Sequence, residues 1–273
     1  MPTPPLIPLD DRRHIPQLGL GVWQIPNAET TAVVREAIAV GYRSIDTAAL
    51  YRNEVGVGEG LRASGVPRDE LFVTTKLWHD RHIDAERALD ESLRRLTLDH
   101  VDLYLIHWPA PRQNRYVDAW RALVRARESG HARSIGVSNF NPDHLERIID
   151  ATGVVPVLNQ VELHPRFQQR ALRDVHARLG IATESWSPLG QGGVLDDPTI
   201  AAVARKHGKT PAQVVIRWHI DSGLIAIPKT THPRRMRENF DVFDFTLDAD
   251  DLARIGAMDS PDGRLGFDPA TFS

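Results

Sequence analysis

The sequence predicts an α/β chain folded as a (β/α)8 TIM barrel with an N-terminal β-hairpin and a short C-terminal tail. Three observations predict it. Short β-rich apolar runs alternate with amphipathic helical patterns along the chain. Successive strand ends fall at near-constant intervals: 30 residues from Asp46 to Lys76, 31 to His107 and 31 more to Ser138. A βα unit needs about 30 residues. The length of 273 residues suits one barrel domain over 1–273, since such barrels typically use about 250. An open doubly wound parallel sheet is the alternative.

The elements follow in order. Residues 6–9 and 14–18 flank Asp10-Asp-Arg-Arg13 and read as a hairpin ahead of the barrel. The run 18–22 is the first barrel strand, and 28–40 is a helix ended by Gly41. Strand candidates follow at 43–46 and 71–76, the latter rich in β-branched and aromatic residues. Asp84 is positioned to cap a helix whose Ala85, Ala88, Leu89, Leu93 and Leu96 line one face. Further strands are expected at 101–107, 134–138, 157–161, 181–185 and 224–227. Pro142 and Pro211 follow the potential caps Asn141 and Thr210, as first-turn prolines do.

Composition removes several chemistries. There is no cysteine, hence no disulfide scaffold, thiolate nucleophile or zinc ribbon. No apolar run of about 18 residues is available to span a membrane. The start lacks a basic segment followed by an apolar one, so a leader peptide is not expected and a cytoplasmic location is. A formal net charge of −3 argues against a nucleic-acid partner. Twelve histidines raise the question of a metal, but no paired-histidine motif stands on a helix and no metal is expected.

Two motifs are decoys. Gly56-Val-Gly-Glu-Gly60 resembles a dinucleotide loop, yet Leu61 fills the third-glycine position and no strand precedes it. Gly208-Lys-Thr210 resembles the end of a phosphate loop, yet position 203 is valine, so a helix–helix turn is expected.

Barrel chemistry sits at the C-terminal strand ends. The strand assignment brings Asp46, Lys76 and His107 there, with Tyr51 on the loop after Asp46. Singly, each has an ordinary structural explanation. Together they supply a phenol, an ammonium expected to lower its pKa, a carboxylate to hold that ammonium, and an imidazole to orient a carbonyl oxygen. That set stabilises an alkoxide forming from a carbonyl, and the hydride must come from a cofactor.

Around these residues stand Gly41-Tyr-Arg-Ser-Ile-Asp-Thr-Ala48, Tyr51-Arg-Asn-Glu54, Thr74-Thr-Lys76, Ile106-His-Trp-Pro109, Ile135-Gly-Val-Ser-Asn-Phe140 and Asn159-Gln-Val-Glu-Leu-His-Pro165. Ile227-Pro-Lys-Thr230 and Arg235-Met-Arg-Glu-Asn239 complete the order. Over nearly its whole length the chain resembles the aldo-keto reductase family. Ser185-Trp-Ser-Pro-Leu-Gly190 and the ending from Gly263 to Phe272 are similar to its prokaryotic 2,5-diketo-D-gluconate reductase-like branch.

The resemblance implies an NADPH/NADP+-dependent reductase of aldehydes and ketones, working as a monomer on a small-molecule carbonyl substrate. Tyr51 would be the proton donor, assisted by Lys76 and Asp46, with His107 orienting the substrate. Ser138, Asn139 and Gln160 would hold the nicotinamide carboxamide, and Trp186 would stack on its ring where many relatives have tyrosine. Gly21, Trp23, Ser187, Leu189, Gly190, Gly192 and Pro228 would complete the cofactor groove. Lys229, Thr230, Thr231 and Arg235 would grip the 2′-phosphate, with Glu238 and Asn239 at the adenine. Relatives commonly have serine at Thr230 and valine at Thr231.

Trp23, Trp78 and Trp108 would frame the substrate pocket beside Tyr51 and His107, while Trp120 and Trp218 fall in helices and are packing residues. Only a short stretch follows Asn239, so an open pocket is expected. Two rival functions remain at this point: a Schiff-base aldolase using Lys76, and a non-catalytic NADPH-sensing subunit on the same fold.

Overall fold

The structure, a computed structural model, describes residues 4–273. The reading of the chain start, so far as it rests on Met1 to Thr3, lies outside the described residues. Eight parallel strands follow one another: β3 (Leu20–Gly21), β4 (Ser44–Asp46), β5 (Phe72–Leu77), β6 (Val101–Ile106), β7 (Ala132–Ser138), β8 (Leu158–Glu162), β9 (Ala182–Trp186) and β10 (Ile225–Ala226). Each pairs with its sequence neighbour. A parallel bridge between Leu18 and Ala226 joins the two ends. The Gly19 N–H donates to Ala226 O at 2.9 Å and the Ala226 N–H to Gln17 O at 3.0 Å. The Gln17 amide adds bonds to Ile220 O and Leu224 O. The sheet therefore closes, and the open-sheet alternative falls.

Among the described residues, ten α-helices connect and flank the strands: α1 (Asn27–Val40), α2 (Glu54–Ala63), α3 (Ala85–Leu96), α4 (Tyr116–Glu128), α5 (Pro142–Thr152), α6 (Arg170–Leu179), α7 (Pro198–His207), α8 (Pro211–Asp221), α9 (Pro233–Phe240) and α10 (Ala249–Gly256). Asn141 and Thr210 form capping boxes with His144 and Gln213. Asp84 behaves differently from expectation. It stands at the N-cap of α3 but makes no capping bond. Arg81 takes its carboxylate instead in a two-point pairing, Nη2 to Oδ2 at 2.8 Å and Nε to Oδ1 at 2.9 Å, which uses both carboxylate oxygens.

The glycines of α2 serve packing. A Cβ at Gly58 would lie 2.1 Å from Leu96 O, and one at Gly60 2.7 Å from Val34 Cβ. They let α2 press between α1 and the end of α3, which accounts for the dinucleotide-like pattern. Gly208 (φ 62°) makes the turn between α7 and α8. Trp120 and Trp218 are buried in the core.

The hairpin strands β1 (Leu6–Pro8) and β2 (His14–Pro16) pair antiparallel. Leu9 and Ile15 join Phe72, Leu103, Leu105, Leu158 and Ile225 in one apolar cluster. The hairpin thus plugs the N-terminal end of the barrel.

Residues two apart on a strand share a face, so the interior changes character along each strand. Phe72 leads to Lys76, Leu103 to His107, Leu158 to Gln160, and Ala182 to Glu184 and Trp186. Apolar side chains fill the plugged end and polar ones the open end. Among the described residues, no helix is long and apolar enough to cross a membrane.

Candidate active site

Asp46, Lys76 and His107 all stand at C-terminal strand ends and are buried. The Lys76 ammonium donates to Asp46 Oδ1 at 2.5 Å, to Thr47 O at 2.9 Å and to the Tyr51 hydroxyl at 3.4 Å. An ammonium has three hydrogens, so all are committed. Burial works to neutralise Lys76, but Asp46, Tyr51 and Glu184 outweigh it and hold its pKa above the usual lysine value. An aldolase lysine needs a free amine lone pair, and this arrangement withholds it.

Tyr51 ends a 3-10 turn (Ala49–Tyr51) whose position is fixed from below. Thr47 Oγ1 donates to Asn53 Oδ1, and Asn53 Nδ2 donates to Val22 O and Ile25 O. Asn53 therefore ties the Tyr51 loop to the segment after β3.

The phenol departs from the expected lowered pKa. Burial raises it, Lys76 pulls it down, and Asp46 and Glu184 push it up again, leaving it above the ordinary value. The expectation omitted the desolvation of the phenolate, which dominates here. Tyr51 is accordingly a neutral phenol whose oxygen accepts from Lys76 and whose hydrogen is free to be donated.

His107 lies edge-on to Tyr51, with ring centroids 5.7 Å apart, and 5.0 Å from Trp78. Burial, then Lys76 and His79, hold its pKa well below the usual histidine value, so the imidazole is neutral. Its Nδ1 is buried without a partner.

The neighbouring strand ends carry amides and an indole. Ser138 Oγ donates to Gln160 O, and Asn139 Nδ2 donates to Ser138 Oγ and His107 O. Asn139 takes the left-handed conformation (φ 62°) that asparagine tolerates. The Trp186 indole N–H donates to Asn139 Oδ1 at 2.8 Å, which anchors the ring. Gln160 Nε2 donates to Asp46 Oδ2 at 2.8 Å and to Glu184 Oε2 at 2.7 Å.

Glu184 was not foreseen from the sequence. Its signal is a lone acid within a strand, two residues before Trp186 and so on the same face.

After β9, Ser187, Gly190 and Gly192 all have positive φ, so the loop carrying Leu189 coils tightly beside the barrel mouth. Gly21 ends β3, and its N–H meets Pro228 O across the barrel seam at 3.4 Å. Residues 228–231 lead from β10 to α9. Lys229 and Arg235 are exposed, Thr230 is buried, and Thr231 is half-buried.

Arg234 pairs with Glu238 and Arg237 with Glu36, but among the described residues Lys229 and Arg235 have no carboxylate partner. Two cations without partners beside a threonine hydroxyl at a helix start suit a phosphate monoester. Asn239 is buried on α9, and Glu238 is engaged by Arg234.

The tail corrects the expectation of an open pocket. It is short, yet it folds back over the mouth. Phe272 stacks on Trp108 at 4.3 Å and meets Trp78 edge-on at 6.0 Å. Trp23 is 44% exposed at the same end, and among the described residues its ring stacks on none of this group. Glu162, also unforeseen, accepts the N–H groups of Leu265 and Gly266 and lies beside His164.

The profile of the Aldo/keto reductase family matches residues 17–260. The chain is 57% identical over 274 residues to a protein of Yersinia pestis named methylglyoxal reductase DkgA, covering 100% of this chain and 99% of that one. The Escherichia coli K12 protein of the same name is 54% identical, again over 100% and 99%. Among solved structures, a variant of Gox0644 in complex with NADPH superposes with a TM-score of 0.96 at 55% identity, over 100% of both chains. A Bombyx mori aldo-keto reductase in complex with NADP gives 0.89 at 40% identity, over 95% of this chain and 94% of that one.

Proposed function

This chain belongs to the aldo/keto reductase family, and we propose that Tyr51 is the proton donor of its carbonyl reduction. The protein is an NADPH-dependent oxidoreductase. The bound cofactor supplies hydride to the carbonyl carbon. Everything else falls to the chain's own residues. His107, neutral and buried, hydrogen-bonds the carbonyl oxygen and orients it over Tyr51. The Tyr51 hydroxyl gives its proton to the developing alkoxide, while Lys76 stabilises the charge left on the phenol oxygen. Asp46 keeps Lys76 charged and aimed.

One observation carries this reading: the fully committed Lys76 ammonium between Asp46 and Tyr51. The same observation weighs against the aldolase alternative, and the intact set weighs against a purely cofactor-sensing role.

Ser138, Asn139 and Gln160 suit the carboxamide, with Trp186 as the ring against it. Gly21, Trp23, Ser187, Leu189, Gly190, Gly192 and Pro228 line the route from there to the phosphate grip of Lys229, Thr230, Thr231 and Arg235, with Glu238 and Asn239 beyond. Trp78, Trp108 and Trp23 wall the substrate side. We read the chain as a single barrel domain that acts as a monomer in the cytoplasm. The substrate is a small carbonyl compound, and the names of the relatives make methylglyoxal the first to try.

The test is NADPH oxidation, followed by absorbance, over a panel of aldehydes, ketones and oxo-aldehydes. Turnover of small members supports the reading. No turnover with any, by a protein that binds NADPH, would overturn it.

A further inference from the structure

Glu184 stands on β9 opposite Gln160 of β8 and Ile225 of β10. It is 1% exposed, and among the described residues its side chain takes one hydrogen bond, from Gln160 Nε2. Because Gln160 also bonds Asp46, a continuous chain runs from Tyr51 through Lys76, Asp46 and Gln160 to Glu184. It crosses the barrel from β4 and β5 to β8 and β9.

A primary amide has two hydrogens and one acceptor oxygen. In Gln160 both hydrogens point to carboxyl oxygens, while Oε1 accepts no bond among the described residues. The side chain is therefore left able to accept only. The amino group of a carboxamide fits that vacancy and a carbonyl does not. With Asp46 alone, either hydrogen could serve and the amide plane could swing. The second carboxyl group removes that freedom.

We propose that Glu184 is a positioning residue of this reductase: it fixes Gln160 as an acceptor for the nicotinamide carboxamide and, through its own ionisation, sets the charge felt by Tyr51. The proposal rests on the reductase reading above.

The charged and titratable groups that act on Glu184 are Asp46 from β4, Lys76 from β5 and, less directly, Tyr51 from its turn. Gln160 and Ile225, its partners in the sheet, bring no charge. One ammonium faces two carboxyl groups, so a proton on Glu184 leaves the cluster neutral. Burial, reinforced by Asp46, pushes the Glu184 carboxyl up to about 8. Below that pH it is a neutral acid that still accepts from Gln160 through its carbonyl oxygen. Above it, a new anion makes Tyr51 a weaker acid, and proton donation slows.

The experiment compares the parent with Glu184→Gln and Glu184→Leu. NADPH is titrated without any carbonyl by quenching of tryptophan fluorescence, and kcat for carbonyl reduction is followed from pH 6 to 10. Glu184→Leu loses an acceptor and should bind NADPH about tenfold more weakly. Glu184→Gln supplies an amide oxygen in its place and should restore affinity to within about twofold. The decline of kcat near pH 8 should vanish in Glu184→Gln, which has no proton to lose.

Parental NADPH affinity in Glu184→Leu overturns the positioning claim. A decline near pH 8 that persists in Glu184→Gln overturns the charge claim, and this near-isosteric variant decides even if the leucine variant does not fold. Failure of the reductase reading is separate: it appears as absent turnover in the parent, while the titration still judges Glu184.

Discussion

The carboxylate of Glu162 receives the Gly266 N–H at 2.8 Å, across more than a hundred residues of chain. Burial opposes the charge on Glu162, but His164 and the N–H groups of Leu265 and Gly266 outweigh it and keep its pKa low. A Cβ on Gly266 would come within 2.6 Å of the Trp186 ring, so only glycine lets the tail lie this close.

Glu162→Ala removes the acceptor of both N–H groups, worth about 3 kcal/mol if one counts two bonds to a charged group at the lower end of their range. The tail should then detach for a measurable part of the time. Trypsin should cut after Arg264 faster than in the parent, and KM for a small carbonyl should rise several-fold as Phe272 leaves Trp108. Unchanged cleavage would mean that the aromatic contacts alone hold the tail.

Tyr51→Phe deletes the donated proton and little else. Carbonyl reduction should fall by about 10²–10⁴-fold, the usual worth of a positioned acid. NADPH affinity, measured by fluorescence titration, should stay within about twofold of the parent. Near-parental kcat would remove Tyr51 from the mechanism.

Arg235→Ala separates coenzymes. An arginine–phosphate pair is a charge-assisted, bidentate contact, and only NADPH carries the 2′-phosphate. The dissociation constant for NADPH should rise about tenfold or more, as expected for a bond to a charged group, with little change for NADH. Equal losses for both would make Arg235 a structural residue of α9.

Acid sensitivity follows from buried histidines. Burial brings His82, His176 and His219 down to about 4, against about 6.5 in an unfolded chain. Between those values the unfolded state binds more protons, so stability is complete above about pH 6.5 and is lost as pH falls toward 4. Each site contributes up to about 3 kcal/mol over that interval. The melting temperature should fall steeply from pH 6.5 to 4.5, and His219→Gln should flatten that slope. An equally steep slope would place the acid sensitivity elsewhere.

Much of this site is legible along the sequence because a strand obeys a period of two and a βα unit a period near 30 residues. Asp46, Lys76 and His107 betray themselves as polar residues at the ends of apolar runs. Asn53, Glu162 and Glu184 do not. The Gln160–Asp46 bond joins residues 114 apart and Gln160–Glu184 residues 24 apart, and no local pattern encodes such a meeting. The phenol's pKa escaped for a related reason. The neighbouring cation can be read from the motif, whereas the degree of burial belongs to the closed barrel. Asp84 occupies the expected place but serves Arg81, a competition between two bonds that position alone does not reveal.

The seam of the barrel has a consequence for folding kinetics. Gln17 reaches Ile220 O over 203 residues, so the last pairing waits for almost the entire chain and closes the largest loop in the molecule. Gly21 and Trp23 lie on one side of that join and Pro228 to Arg235 on the other. A dinucleotide seated in the groove proposed above would be held by both sides and would act as a clasp, suppressing seam opening in proportion to its occupancy. The amides of Gly19, Gly21 and Ala226 are then the natural reporters: their hydrogen exchange measures how often the barrel unlatches, and how far the coenzyme keeps it shut.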